Sequence, residues 1–352
     1  MIRPILLLAF GFALVPAPTL AQDAGEAANR PLFQSQDTLP VRIEAPFSTL
    51  MKKRSDIEYL EGAFTYTDTS GQEVKLDLKL RARGRYRRQK TTCDLPPIRL
   101  NFKKKQVEGT EFAGQDKLKL VTHCQENRDR YEQYVLKEYL AYRILNTITD
   151  HSFRARLLRI DYVDTDRNDE VDTRYGFVIE DDELLAERIG MTVLRVPSIK
   201  HGQVDAAQGA LIAVFQYLIG NTDFSMFAGA RDDDCCHNVV LFAKETDGYL
   251  PVPYDFDFSG LVNATYASPN PKLPIKRVTR RLYRGMCEHN AHVDAALALF
   301  REKEAAIREL VTSMEDLDDK MSEQALRFID RFYKDTETPE SIDRFLVRKC
   351  VS

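Results

Sequence analysis

Apolar and polar residues alternate from Val74 to Ala82, with Val74, Leu76, Leu78, Leu80 and Ala82 on one side of an extended chain. Lys75, Asp77, Lys79 and Arg81 take the other side. Upstream, Ala63-Phe64-Thr65-Tyr66 is separated from this run by Ser70-Gly71-Gln72, which predicts an antiparallel hairpin. Further runs rich in Ile, Leu and Val predict strands over 98–102, 118–121, 157–163 and 175–179. Between them Tyr134, Val135, Leu140, Ala141, Ile144 and Leu145 recur at helical spacing, so a helix is expected over 130–145.

Beyond Asp181 the helical period dominates. A short helix is expected over 183–189, and Asp205 is placed to cap an apolar helix over 206–219. That stretch carries Gln208 and Gln216 and falls short of the ~20 residues that cross a bilayer, so it reads as a buried helix. Two short strands (239–242 and 250–252) and two helical segments (293–314 and 323–333) complete the pattern. The expected architecture is α+β and bilobal: a sheet-rich N-terminal lobe over 46–181 and a mainly helical C-terminal lobe over 182–352. No internal repeat or low-complexity linker interrupts it.

The first residues supply a different signal. Met1-Ile2-Arg3, an apolar run and Pro18-Thr19-Leu20-Ala21 have the zones of a secretory leader, with cleavage expected after Ala21 and a polar leader over 22–45. The expectation is a secreted or periplasmic protein with no integral membrane segment after cleavage. An oxidising compartment makes structural disulfides the reading for the six cysteines, none of which has zinc spacing. Cys93 is expected to bond Cys124, and one of Cys235 or Cys236 to bond Cys287 or Cys350. With 50 Lys+Arg against 54 Asp+Glu, the net charge of −4 argues against a general polyanion binder, and no nucleic-acid motif is present. The local exception is Arg81, Arg83, Arg85 and Arg87, which on a continued strand would share one face. Such a row either grips phosphate or carboxylate oxygens or is a solvated surface.

Candidate chemistry concentrates after the apolar helix, in Asn221-Thr222-Asp223, the acidic run 232–234, His237-Asn238 and Tyr254-Asp255-Phe256-Asp257. Carboxylates and an amide delivered by loops suit a hard divalent cation that bridges substrate phosphates. The same residue types also end helices and open turns without any ligand.

These blocks resemble the CotH kinase-like family, whose protein-kinase-like fold is related to the HipA branch. The similar segments are Asn221-Thr222-Asp223, His237-Asn238-Val239-Val240-Leu241-Phe242 and Pro253-Tyr254-Asp255-Phe256-Asp257, preceded by Arg83-Gly84, Pro97-Ile98-Arg99-Leu100-Asn101-Phe102, Leu140-Ala141-Tyr142 and Tyr175 to Glu180. The resemblance implies ATP with Mg2+ or Mn2+, and phosphoryl transfer to a hydroxyl, that of a protein substrate. It implies that Asp223 orients or deprotonates the hydroxyl, while Asp255 and Asn238 bind metal and Asp257 either assists the metal or hydrogen-bonds the loop. For the nucleotide, Arg99, Lys119 and Arg159 are alternative phosphate-binding cations, with Glu138 their partner or one half of a solvated Lys137-Glu138 pair, and Glu180 at the lobe connection. A catalytically weak scaffold or binding module and a nucleotidyl transferase are the alternatives. The chain departs from the pattern in three places: 15 positions separate Asp223 from Asn238, Arg85-Tyr86-Arg87-Arg88 follows Arg-Gly, and Tyr254 replaces Trp. The insertion over 226–236 is expected to be a flap over the site, pinned by Cys235 or Cys236.

Overall fold

The structure, a computed structural model, describes residues 27–126, 128–229, 234–244 and 248–352. The expected leader over 1–21 lies outside the described residues. Ten strands form two sheets among the described residues: β1 (Leu39–Ala45), β2 (Leu60–Thr67), β3 (Glu73–Ala82), β4 (Ile98–Phe102), β5 (Lys117–Val121), β6 (Ala155–Asp164), β7 (Glu170–Ile179), β8 (Thr192–Leu194), β9 (Val239–Ala243) and β10 (Leu250–Pro253). The helices are α1 (Phe47–Lys53), α2 (Lys104–Val107), α3 (Asp129–Ile148), α4 (Asp182–Ile189), α5 (Ala206–Ile219), α6 (Val293–Glu302), α7 (Glu304–Thr312), α8 (Asp319–Asp335) and α9 (Pro339–Phe345).

Seven strands close into a barrel in the order β1-β2-β3-β4-β5-β7-β6. The alternation of β3 works as its sequence predicts: Leu76, Leu78, Leu80 and Ala82 point inward while Lys75, Asp77 and Lys79 face out. Closure depends on β1, which pairs antiparallel with β2 (Val41 opposite Tyr66) and parallel with β6 (Leu39 opposite Leu158 through Ala45 opposite Asp164). Phe64, Phe102 and Phe112 meet edge to face or tilted inside, with centroids 4.9–5.4 Å apart.

This closed barrel corrects the bilobal kinase-like architecture expected from the sequence. The sheet has no open edge at β1, a strand that falls at the end of the segment taken as a polar leader. Nor does the hydrophobic interior divide near Glu180. Tyr142 and Leu145 of α3 and Phe177 of β7 share one buried cluster with Phe215 of α5, Phe242 of β9 and Phe332 of α8. A small antiparallel sheet, β10-β9-β8, lies within this second core.

Cys93 bonds Cys124, as expected. The second pairing differs: Cys235 bonds its neighbour Cys236, and Cys287 bonds Cys350. Parallel pairing of Met286 with Val351 brings the C-terminal segment alongside Cys287, which leaves Cys350 closer to that partner than to the site loop. No helix among the described residues is long and apolar enough to cross a membrane.

Candidate functional site

A cavity of about 570 Å³ opens where the loop after β3 faces the turns around α5, β9 and β10. Arg83, Arg85 and Arg87 line one part, and Asp223, Asp255 and Asp257 line another. Glu138 and Asp234 also line it, so five carboxyl groups meet three guanidiniums. Fully ionised, such a lining carries an excess of negative charge that a proton or a bound cation relieves.

Asp223 is delivered by the end of α5. Gly220 takes the left-handed conformation (φ +66°) and its N–H closes on the Gln216 and Tyr217 carbonyls, stopping the helix. A side chain there would also meet the Phe328 ring at 2.7 Å. The Asp223 N–H donates to Asn221 Oδ1 at 2.9 Å, and Arg284 donates to the Thr222 and Phe224 carbonyls on either side. The Asp223 carboxylate is held from two directions: His237 Nε2 lies 2.9 Å from Oδ1, and the Asn238 amide donates to Oδ2 at 3.1 Å and to the main-chain carbonyl at 2.8 Å. The hydrogen bond to Asp223 raises the His237 imidazole above its ordinary range, against the opposing effect of burial. With the Asn238 nitrogen engaged, its amide oxygen is the atom left to serve as a ligand.

Asp255 follows β10 with a left-handed backbone (φ +62°), and its N–H donates to the Tyr142 hydroxyl at 2.9 Å. Tyr142 stands one helical turn from Glu138 on α3, which places both on one face. Glu138 is therefore buried at the site rather than solvated beside Lys137, and Lys137 is itself buried. Burial and then the Asp255 charge push the Glu138 carboxyl up to about 8. Burial, Asp255 and Glu138 likewise hold Asp257 well above the usual carboxylate range. Arg87 faces this acid group, 3.6 Å from Glu138 and 3.9 Å from Asp257, and donates to the Thr122 carbonyl at 2.6 Å. Burial opposes its charge, but Tyr266, Asp257 and Glu138 outweigh that and favour the charged guanidinium.

Four of the sequence candidates thus meet the cavity near Asp223: Asn238, Asp255, Asp257 and Glu138. The other nucleotide candidates are engaged elsewhere and do not line it. Lys119 forms a 2.6 Å buried pair with Asp182 behind the Tyr254 ring, and Arg99 lies 4.0 Å from Asp181. Arg159 pairs with Glu132 at 2.7 Å, and Glu180 with Arg188 at 2.8 Å. Sequence reasoning missed Arg87 as the cation facing Glu138. β3 stops at Ala82, so the arginines beyond it belong to a looped segment and not to one strand face. The insertion borders the cavity through Gly229, Asp234 and Cys236, while Asp232 and Asp233 lie outside the described residues. Its anchors are main-chain bonds from Cys235 to Val196 and from Ile199 to Phe227, in place of a disulfide to the helical half.

Oxygen donors from Asp255, Asp257 and Asn238 fit a hard divalent cation. Among the described residues no three His, Cys, Asp or Glu side chains are gathered as a ready cage, and Mg2+ bound through one or two carboxylates plus substrate phosphate requires none. No known protein-family model matches the chain, and no curated protein sequence matches it.

Proposed function

We propose that the protein is an exported enzyme that binds ATP with Mg2+ or Mn2+ and transfers a phosphoryl group to a hydroxyl, with a protein as acceptor. The observation that carries this reading is the joint lining of one cavity by Arg83, Arg85 and Arg87 and by Asp223, Asp255 and Asp257. A polyphosphate matches the first group and a divalent cation the second. The resemblance to CotH kinase-like proteins adds its chemistry to this reading; its two-lobed fold is not carried over.

Arg87, held on the Thr122 carbonyl, meets phosphate oxygens at the cavity wall while its charge balances Glu138 and Asp257. Asp255 and Asn238, with Asp257 adjoining, would hold the metal, which when bound neutralises phosphate charge and favours the transfer. Asp223 orients the acceptor hydroxyl and accepts its proton, with His237 and Asn238 fixing the carboxylate's direction. Exclusion of water falls to Tyr86, Tyr254 and Phe258 in the lining. The three disulfides accord with export to an oxidising compartment.

Calorimetry of the oxidised protein with ATP tests the reading: binding is expected with Mg2+ or Mn2+ and is expected to weaken strongly when the metal is chelated. Mass analysis of the modified acceptor then separates phosphate from nucleotide transfer. Absence of ATP binding under both metals would overturn the proposal.

A further inference from the structure

The barrel carries a second cavity, of about 240 Å³, where β6 ends and β7 begins. Three rings build its wall: Phe47 of α1 packs edge-on to Tyr162 of β6 at 5.3 Å, and His123, two residues past β5, packs on Tyr162 at 5.4 Å. Leu95 and Met51 add apolar surface. His123 is 2% exposed, yet neither ring nitrogen has a hydrogen-bond partner, and the buried Tyr162 hydroxyl has none either. Buried polar groups are rarely left unpaired, so the His123 ring and the Tyr162 hydroxyl at one cavity point to a ligand that engages them.

The rim decides the ligand's charge. Glu126, Asp164, Glu170 and Asp172 line the cavity against one guanidinium, Arg167. Asp164 accepts bonds from Ser48, Arg167 reaches Asp164 and Glu170 at 3.7 and 3.8 Å, and Asp172 pairs outward with Arg174 at 3.0 Å. The remaining balance is negative. Asp172 Oδ2 also stands 3.6 Å from His123 Nε2, so one ammonium group seated beside the pair reaches both atoms. Burial keeps the His123 ring neutral, with its pKa lowered to about 4 despite Asp172, which leaves one ring nitrogen as an acceptor. Aromatic faces beside carboxylates favour an organic cation over an anion or a neutral alcohol.

We propose that this cavity binds a small organic ammonium. Its apolar body packs on Phe47 and Leu95, and its N–H groups donate to the acceptor nitrogen of His123, to the Tyr162 hydroxyl oxygen and to the Asp172 carboxylate. The assignment is independent of the phosphate site.

Titration of the full chain with phenethylammonium chloride, followed by calorimetry and by the His123 ring resonances, tests it. Saturable binding is expected, with 2-phenylethanol at least about tenfold weaker and phenylacetate not bound. His123→Phe and Asp172→Asn should each weaken the ammonium about tenfold or more. Val171 is 48% exposed on the cavity lining, so Val171→Trp should obstruct the mouth and abolish binding without disturbing the core, which keeps the test decisive if His123→Phe fails to fold. No saturable ammonium binding, equal affinity for the alcohol, or undiminished binding in Val171→Trp would overturn the proposal.

Discussion

At the scale of single residues, the site separates two carboxylates by their surroundings. Asp223 is gripped by His237 and Asn238, whereas Asp255 sits with Asp257 and Glu138 opposite Arg87. Asp255→Asn is therefore expected to weaken Mg-ATP binding at least about tenfold, because a charged ligand to a hard cation is lost. Asp223→Asn should leave binding within about twofold while turnover falls by about two orders of magnitude or more. Equal loss of binding in both variants, measured by calorimetry, would remove the division of roles. Glu138 supplies a pH test. Its folded value of about 8 lies above its ordinary 4.5, so the folded protein keeps a proton that the unfolded chain releases across that window. Stability of the metal-free protein should fall as pH rises through the window, and the raised His237 acts in the same direction. Saturating Mg2+ should restore more Tm near pH 8.5 than near pH 5, and Glu138→Gln should flatten the metal-free slope. That Asp223 and Asp255 meet at one cavity was legible from the dense polar turns after the apolar helix, while the roles given to them came from the resemblance. Arg87 was not legible, since alternation says which face a residue takes only while the strand lasts, and β3 ends at Ala82.

Among the elements, the loop between β3 and β4 positions Arg87 against Glu138 and Asp257. Its far end is tied to the end of β5 by the Cys93–Cys124 bond, and the Asp94 and Leu95 N–H groups donate to the Cys124 carbonyl. Arg54 adds bonds to the Arg88 and Asp94 carbonyls from outside. Replacing both Cys93 and Cys124 by Ala should cost about 2–4 kcal/mol in denaturant unfolding and weaken ATP binding through the loosened Arg87, while Cys287→Ala with Cys350→Ala should spare ATP affinity. On the other wall, Gly220→Ala should destabilise by about 1–3 kcal/mol, since a left-handed backbone and the Phe328 ring both oppose a side chain. An unchanged Tm would show that α5 can end without that conformation. The helix itself was legible from its Asp205 cap and apolar run, and the structure places it over Ala206–Ile219. The disulfide partners of Cys235 and Cys236 were not, because connectivity depends on which chain segments meet, and the 286–351 pairing carries no periodic signal.

For the whole molecule, the step that could not be read along the chain is barrel closure. Leu39, Val41, Ile43 and Ala45 do alternate with polar or less buried neighbours, but the strand contains Pro40 and follows a polar stretch. Its partner β6 lies more than a hundred positions away, and local periodicity cannot choose between an open edge and so distant a parallel partner. An open sheet would have left the interior strands as the sequence described them, which is why most strands were found while the architecture was not. The two arrangements differ in a measurable way. In the barrel, β1 is flanked on both sides, and Ile43 is fully buried between Phe64 and Tyr162 in register. Its amides should therefore exchange with solvent as slowly as those of the adjoining β6, through the same global opening. Ile43→Asp, which places a charge in that interior without a partner, should cost more than about 3 kcal/mol and abolish cooperative unfolding of β1 with β6. An exposed-edge strand would tolerate more. If β1 amides exchange orders of magnitude faster than β6 amides while the protein stays folded, and Ile43→Asp leaves Tm unchanged, the sheet is open and the barrel assignment fails.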